Sequence, residues 1–129
     1  MSHFSTIKTQ LKKPKPLVKA LVALGFSPLE GNSLIKGYKG QVVEADIAVK
    51  LTDKYQIGFR WNNDNEAYEL VADLDLWKYS IPVERFLAKV TQGYALNTLL
   101  ATTNEEGFKV VEQKNKLDGS IELVVTRWD

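Results

Sequence analysis

The chain has 129 residues and a net charge of +1, with 44% hydrophobic and 26% charged residues. These are ordinary values for one folded domain, residues 1–129, with a sizeable core, and they exclude a disordered tail and a strongly basic nucleic-acid binder. No cysteine is present, which rules out disulfides and thiolate metal sites and fits a reducing compartment.

The longest apolar run is far short of a membrane span, and residues 1–5 lack the charged and apolar regions of a secretory signal. Residues 2–9 alternate, with Phe4 on one face and His3, Ser5 and Ile7 on the other, and read as a first strand. Pro14 and Pro16 then interrupt the chain. Proline fits the first turn of a helix, so a helix is expected from about Pro16, with Leu17, Ala20, Leu21 and Leu24 on its apolar stripe and Gly25 just past its end. Lys8, Lys12, Lys13, Lys15 and Lys19 crowd this segment. They read as a solvated loop and helix face, or as a contact for a partner or a phosphate.

Residues 26–30 read as a short strand. A loop or short hairpin follows, punctuated by Gly31, Gly37 and Gly40 and containing Leu34 and Ile35. Residues 42–51 form a long alternating strand, whose core set is Val43, Ala45, Ile47, Val49 and Leu51. Residues 55–61 and 68–74 alternate as well, with Tyr55, Ile57, Phe59 and Trp61 facing the core from one strand and Tyr68, Leu70, Ala72 and Leu74 from the other. The two apolar sets share a side only if paired residue numbers add to an odd total. A two-residue turn at Asp64 and Asn65 satisfies this, setting Trp61 beside Tyr68, Phe59 beside Leu70, Ile57 beside Ala72 and Arg60 beside Glu69. The strands of residues 42–74 then form a central antiparallel meander.

After an irregular link, Ser80 reads as an N-cap, with Pro82 just inside the next helix. Val83, Phe86, Leu87, Val90, Tyr94, Asn97 and Ala101 follow one helical stripe, Asn97 being its polar exception. One helix is expected through Gly93 to about Glu106. Residues 108–114 and 121–128 close the chain as a hairpin. A three-residue loop (Leu117, Asp118 and Gly119, the glycine left-handed) sets Lys114 against Glu122, Val111 against Val125 and Phe108 against Trp128. The succession helix, Gly25-Phe26, strand recurs as helix, Gly107-Phe108, strand.

Little of the usual chemistry is encoded. His3 is the single histidine, and there is no phosphate-binding glycine loop and no nucleophile elbow. Asp73 and Asp75 place two carboxylates on one strand face at the strand's end, as a magnesium or acid–base pair or as a solvated strand end. His3 reads as a hydrogen-bonded strand residue or as a ligand. Trp77 and Tyr79 read as anchors for a partner or as a lid on the open edge of the core. The polar sheet face, with Glu44, Asp46, Lys50, Arg60 and Glu69, is mixed in sign and suits neither a nucleic-acid backbone nor an anionic membrane.

Several stretches in combination resemble a known family. They are Met-Ser-His-Phe-Ser-Thr-Ile-Lys-Thr at 1–9, Glu-Ala-Asp-Ile at 44–47, Tyr-Gln-Ile-Gly-Phe-Arg-Trp at 55–61, Tyr-Glu-Leu-Val-Ala-Asp-Leu at 68–74, Gly-Phe-Lys-Val at 107–110 and Asp-Gly-Ser-Ile-Glu-Leu-Val-Val-Thr-Arg-Trp at 118–128. Together they resemble a hypothetical chloroplast open reading frame of red-algal plastids and cyanobacteria. The resemblance implies a stromal or cyanobacterial cytosolic setting and a role beside photosynthesis or carbon acquisition. It transfers no catalytic residue and implies no cofactor. The expected architecture is α+β, a mostly antiparallel sheet with two helices packed on one face. The expected function is that of a non-enzymatic accessory or adaptor protein with a protein partner. The alternative is a small-molecule or metal-dependent enzyme with a pocket at the sheet rim, and the candidate partner- or ligand-binding residues are His3, Asp73, Asp75, Trp77 and Tyr79.

Overall fold

A computed structural model describes residues 4–37, 40–77 and 79–127. Among them the elements run β1 (Phe4–Lys8), α1 (Pro14–Ala23), β2 (Leu29–Lys36), β3 (Val42–Thr52), β4 (Tyr55–Asn62), β5 (Ala67–Asp73), α2 (Val83–Glu105), β6 (Phe108–Asn115) and β7 (Ile121–Arg127). Five strands make one antiparallel sheet in the order β1-β5-β4-β3-β2, while β6 and β7 pair apart from it as a two-stranded ribbon. The α+β class, the meander β3-β4-β5 and the closing hairpin match the sequence expectation.

Side-chain parity sets the register of the β4–β5 hairpin. Trp61 stands opposite Tyr68, Arg60 opposite Glu69 and Phe59 opposite Leu70, the alignment that turns both apolar sets the same way. The turn differs from the expected one. The ladder closes at Asn62 and Ala67, leaving residues 63–66 as the loop, and the positive φ (51°) falls at Glu66 rather than at Asp64 or Asn65. The side-chain oxygen of Asn62 accepts from the N–H groups of Asp64 (2.9 Å) and Asn65 (3.3 Å), and this local bonding favours the wider turn. Trp61 sits at the rim rather than inside. Its ring keeps an edge-on contact with Tyr68, centroids 5.2 Å apart, yet it is 37% exposed.

One face of the sheet carries the main core. Leu17 and Leu21 of α1 and Phe86 and Val90 of α2 meet Ile47, Val49, Ile57, Phe59 and Leu70, all buried. At about 1.5–3 kcal/mol for each such side chain, this layer holds both helices on one side of the sheet. Gly93 lets the helices close on each other, since a Cβ there would lie 3.1 Å from the Cβ of Ala20. The second helix accordingly runs through Gly93 without a break. Both helix starts shift from expectation. Lys13 is the N-cap of α1, so Pro14 and Pro16 both lie in the first turn, where backbone N–H groups have no intrahelical partner. In α2, Pro82 rather than Ser80 is the N-cap, and its carbonyl accepts from the Phe86 N–H at 3.0 Å.

The opposite face holds a smaller cluster of Ile35, Ala45 and Ala48, against which Phe4 and Val43 pack. This corrects the expected grouping of Val43 and Ala45 with Ile47. The cause lies in the neighbouring strand. The expected strand 26–30 and its following loop are one strand, Leu29–Lys36, which continues through Gly31 (φ 99°) with an irregularity between Glu30 and Ser33. Beside it the β3–β4 ladder stops at Ile47 and Phe59, and the Asp46 carboxylate takes the Trp61 N–H at 2.7 Å. Strict alternation along β3 is lost there.

In the ribbon, Lys114 stands opposite Glu122 as expected, and Gly119 is left-handed at φ 87°. The Lys116 N–H donates to the Ser120 carbonyl at 2.8 Å and closes the three-residue loop. An irregularity between Val110 and Glu112 then moves the register by one, so Val110 rather than Val111 opposes Val125, and Phe108 opposes Arg127. Trp128, the expected neighbour of Phe108, lies outside the described residues. The recurring helix–Gly–Phe pattern has a local cause. Gly25 and Gly107 both end a helix at positive φ, 95° and 86°, a conformation that favours glycine just past a helix.

Candidate functional site

The rim of the sheet was the first place expected to hold chemistry. Asp73 ends β5 and is 1% exposed, while Asp75 sits exposed in the 3-10 turn Leu74–Leu76. The Asp73 carboxylate accepts from the Asp75 N–H at 3.2 Å and so caps that turn. The two carboxylates therefore do not share a strand face; the turn begins before Asp75 can continue the strand. Tyr55 donates its hydroxyl to the Asp73 carbonyl at 2.8 Å. Burial first, and then the charge of Asp73, pushes the Tyr55 hydroxyl far above its ordinary pKa of 10.0. His3 lies outside the described residues. Among the described residues no three histidine, aspartate or glutamate side chains gather as a metal cluster.

Trp77 and Tyr79 belong to an aromatic lid. The Trp77 ring meets Tyr55, Tyr79 and Phe86 edge-on, at centroid distances of 5.9, 6.4 and 5.6 Å, and its indole N–H donates to the Ile81 carbonyl at 2.8 Å. Tyr79 adds contacts to Phe26 and Phe86 at 5.8 and 6.3 Å. Both side chains are half-buried against the main core, so they close the link between β5 and α2.

On the polar face, Glu69 lies between Lys8 and Arg60 of the neighbouring strands. Arg60 donates to one of its oxygens through Nη2 (2.8 Å) and Nε (3.1 Å), and Asn62 donates to the other at 3.1 Å. Burial alone would raise the Glu69 carboxyl. The hydrogen bonds from Asn62 and Arg60, with the charges of Arg60 and Lys8, outweigh burial and leave its pKa below the ordinary range.

Two further features were read only in part from sequence, which singled out the lysines of the first and the hairpin of the second but neither the groove nor the exposed valines. Between the first turns of α1 and the C-terminal half of α2 lies a groove of about 420 Å3, with Lys13, Lys15 and Lys19 on one wall and Asn97, Thr98 and Glu105 on the other. Its signal was the polar interruption of the α2 stripe at Asn97. The second feature is the ribbon, where Val124 and Val125 are 39% and 41% exposed. Two consecutive valines in an otherwise alternating strand were the available clue.

Comparison with known proteins identifies the family and no activity. The chain is similar to the uncharacterized protein ycf35 of Guillardia theta, 42% identical over 99% of this chain and 98% of that protein. The ycf35 proteins of Pyropia yezoensis and Cyanophora paradoxa are each 38% identical, over 100% and 99% of this chain and 99% and 98% of theirs. No solved structure matches the chain. A family model described as a protein of unknown function, DUF1257, matches residues 20–124, a span reaching from α1 into β7. With these relatives covering 99% or more of its length and the family model matching residues 20–124, the chain belongs to the DUF1257 family, the family of the hypothetical chloroplast reading frame ycf35.

Proposed function

We propose that this is a non-enzymatic accessory protein that grips a protein partner through the β6–β7 ribbon. It works in the plastid stroma or the cyanobacterial cytosol, beside photosynthesis or carbon acquisition. The observation that carries the reading is the exposure of both Val124 and Val125. Consecutive strand residues point to opposite faces, so the ribbon leaves apolar surface uncovered on each side. Two strands alone are marginal in water. The body supports them at the turn, where the Gln92 side-chain amide donates to the Gly119 carbonyl at 2.8 Å. No third strand joins the ribbon among the described residues, and its outer edges offer backbone groups to an added strand. The fitting partner is an extended protein segment with apolar side chains at alternate positions. The mixed charges of Lys109, Glu112, Lys114 and Glu122 favour a neutral polar rim around it. The relatives' common name, a chloroplast reading frame, supports the setting.

The test is affinity capture from stromal extract with wild-type protein, Val125→Lys, and Leu34→Lys as a control on the exposed edge of the main sheet. Wild type and the control are expected to recover the same proteins, Val125→Lys to lose them, and the complex to protect ribbon amides from hydrogen exchange. Equal recovery by all three, or no partner above background at several salt concentrations, refutes the reading.

A further inference from the structure

We propose that the groove between α1 and α2 binds a small phosphomonoester, its phosphate held by Lys13, Lys15 and Lys19 and by the Thr98 hydroxyl. Charge is segregated along the chain. The first acidic residue is Glu30, and five lysines precede it, while the remainder carries sixteen acidic against twelve basic residues. Three of those five lysines line one groove of about 420 Å3, a volume within the range of small-molecule sites. None of the three forms an ion pair among the described residues. Lys15 and Lys19, one helical turn apart, repel each other when nothing anionic lies between them.

The opposite wall supplies the complementary group. The Thr98 side-chain oxygen is buried and has no hydrogen-bond partner, alone in this among the buried side-chain nitrogen and oxygen atoms of the described residues. A helical threonine ordinarily satisfies its hydroxyl on a carbonyl one turn back, and a buried hydroxyl left unpaired is destabilising. Thr98 lines the groove, and a turn of its side chain toward that space would give the hydroxyl a phosphate oxygen as acceptor. The positive end of α1 adds to the attraction, for its first turn has no acidic residue and Lys13 makes no side-chain cap. Tyr94 fixes the approach, its hydroxyl accepting the N–H groups of Lys12 (3.0 Å) and Lys13 (2.9 Å).

Glu105 decides the ligand class. Glu105 lines the same groove, and its negative charge interrupts the positive surface, which disfavours a polynucleotide that must track many phosphates. It suits a compact molecule with a phosphate at the lysine end and a hydroxyl or amine to donate to Glu105.

The experiment is a heteronuclear NMR titration of the full chain with inorganic phosphate, glycerol 3-phosphate and a short oligouridylate at low salt. Saturable shifts are expected at residues 13–19 and 97–105, with glycerol 3-phosphate binding more tightly than phosphate. The Lys15→Gln/Lys19→Gln variant is expected to weaken binding by roughly tenfold or more. Thr98→Val is expected to weaken it several-fold while melting at the same temperature or higher, and Glu105→Gln to erase the preference for glycerol 3-phosphate over phosphate. Shifts that never saturate or that spread over distant lysines such as Lys50 and Lys109, affinities unchanged in the variants, or oligouridylate binding tighter than both small anions would each overturn the proposal.

Discussion

Replacing Gly58 with alanine sets unfolded-state entropy against packing. Gly58 lies in β4 opposite Ala48 and Val71. An added Cβ would overlap Ile35 Cδ1 and stand 2.5 Å from the Ala45 Cβ and 3.3 Å from the Ile47 carbonyl oxygen. The end of Ile35 can rotate away. The Ala45 methyl is fixed to its backbone, so the strands themselves must move. Overpacking of this kind costs about 1–3 kcal/mol, and alanine for glycine at an ordinary φ returns about 0.4–1 kcal/mol through the unfolded chain. The expected net loss is about 1–2 kcal/mol, read as a lower urea midpoint at unchanged slope. Ala45→Gly in the same background removes the obstructing methyl. The double variant should therefore lose less than the sum of the two single losses, by about 0.5 kcal/mol or more. A Gly58→Ala protein as stable as its parent, or strict additivity in the cycle, would refute the claim that Ala45 lies over Gly58 because the alternation of β3 is broken.

Gly93→Leu forces α1 and α2 apart at Ala20 and should cost about 1–3 kcal/mol despite the better helix propensity, measured by urea unfolding. Tyr55 holds its proton in the folded state where the unfolded chain has lost it, so stability should fall as pH rises past 10. Tyr55→Phe should reduce that alkaline loss and cost about 1 kcal/mol at neutral pH through the missing hydrogen bond to Asp73. Glu69 has a lowered folded pKa, so its contribution is complete above the ordinary value of 4.5 and disappears as pH falls through the folded value. Glu69→Gln should flatten the acid limb of the stability–pH curve, and a limb of unchanged slope would show that the Arg60–Glu69–Asn62 group does not contribute to it.

Much of the sheet was legible because strand pairing obeys parity. Tyr55, Ile57 and Phe59 against Tyr68, Leu70 and Ala72 admit one alignment of faces, and the structure has it. Gly119 likewise fixes the three-residue loop of the ribbon. The candidate site was far less legible. Asp73 and Asp75 look like a same-face pair while the strand is assumed to continue, and the Asp73 cap on the next turn ends that continuity. Trp77 and Tyr79 read from sequence as anchors or as a lid, and only the packing of Phe26 and Phe86, distant in sequence, shows what they cover.

The sequence by itself determined the α+β class, the meander, the pairing of Trp61 with Tyr68 and the closing hairpin, since periodicity and turn chemistry act between neighbours and need no distant partner. Tertiary structure alone decided that Ala45 leaves the main core, that Gly93 admits Ala20, and that lysines of α1 share a groove with Thr98 and Glu105 of α2. Each of these depends on which surfaces meet once the helices lie on the sheet, a geometry set by the summed packing of many side chains.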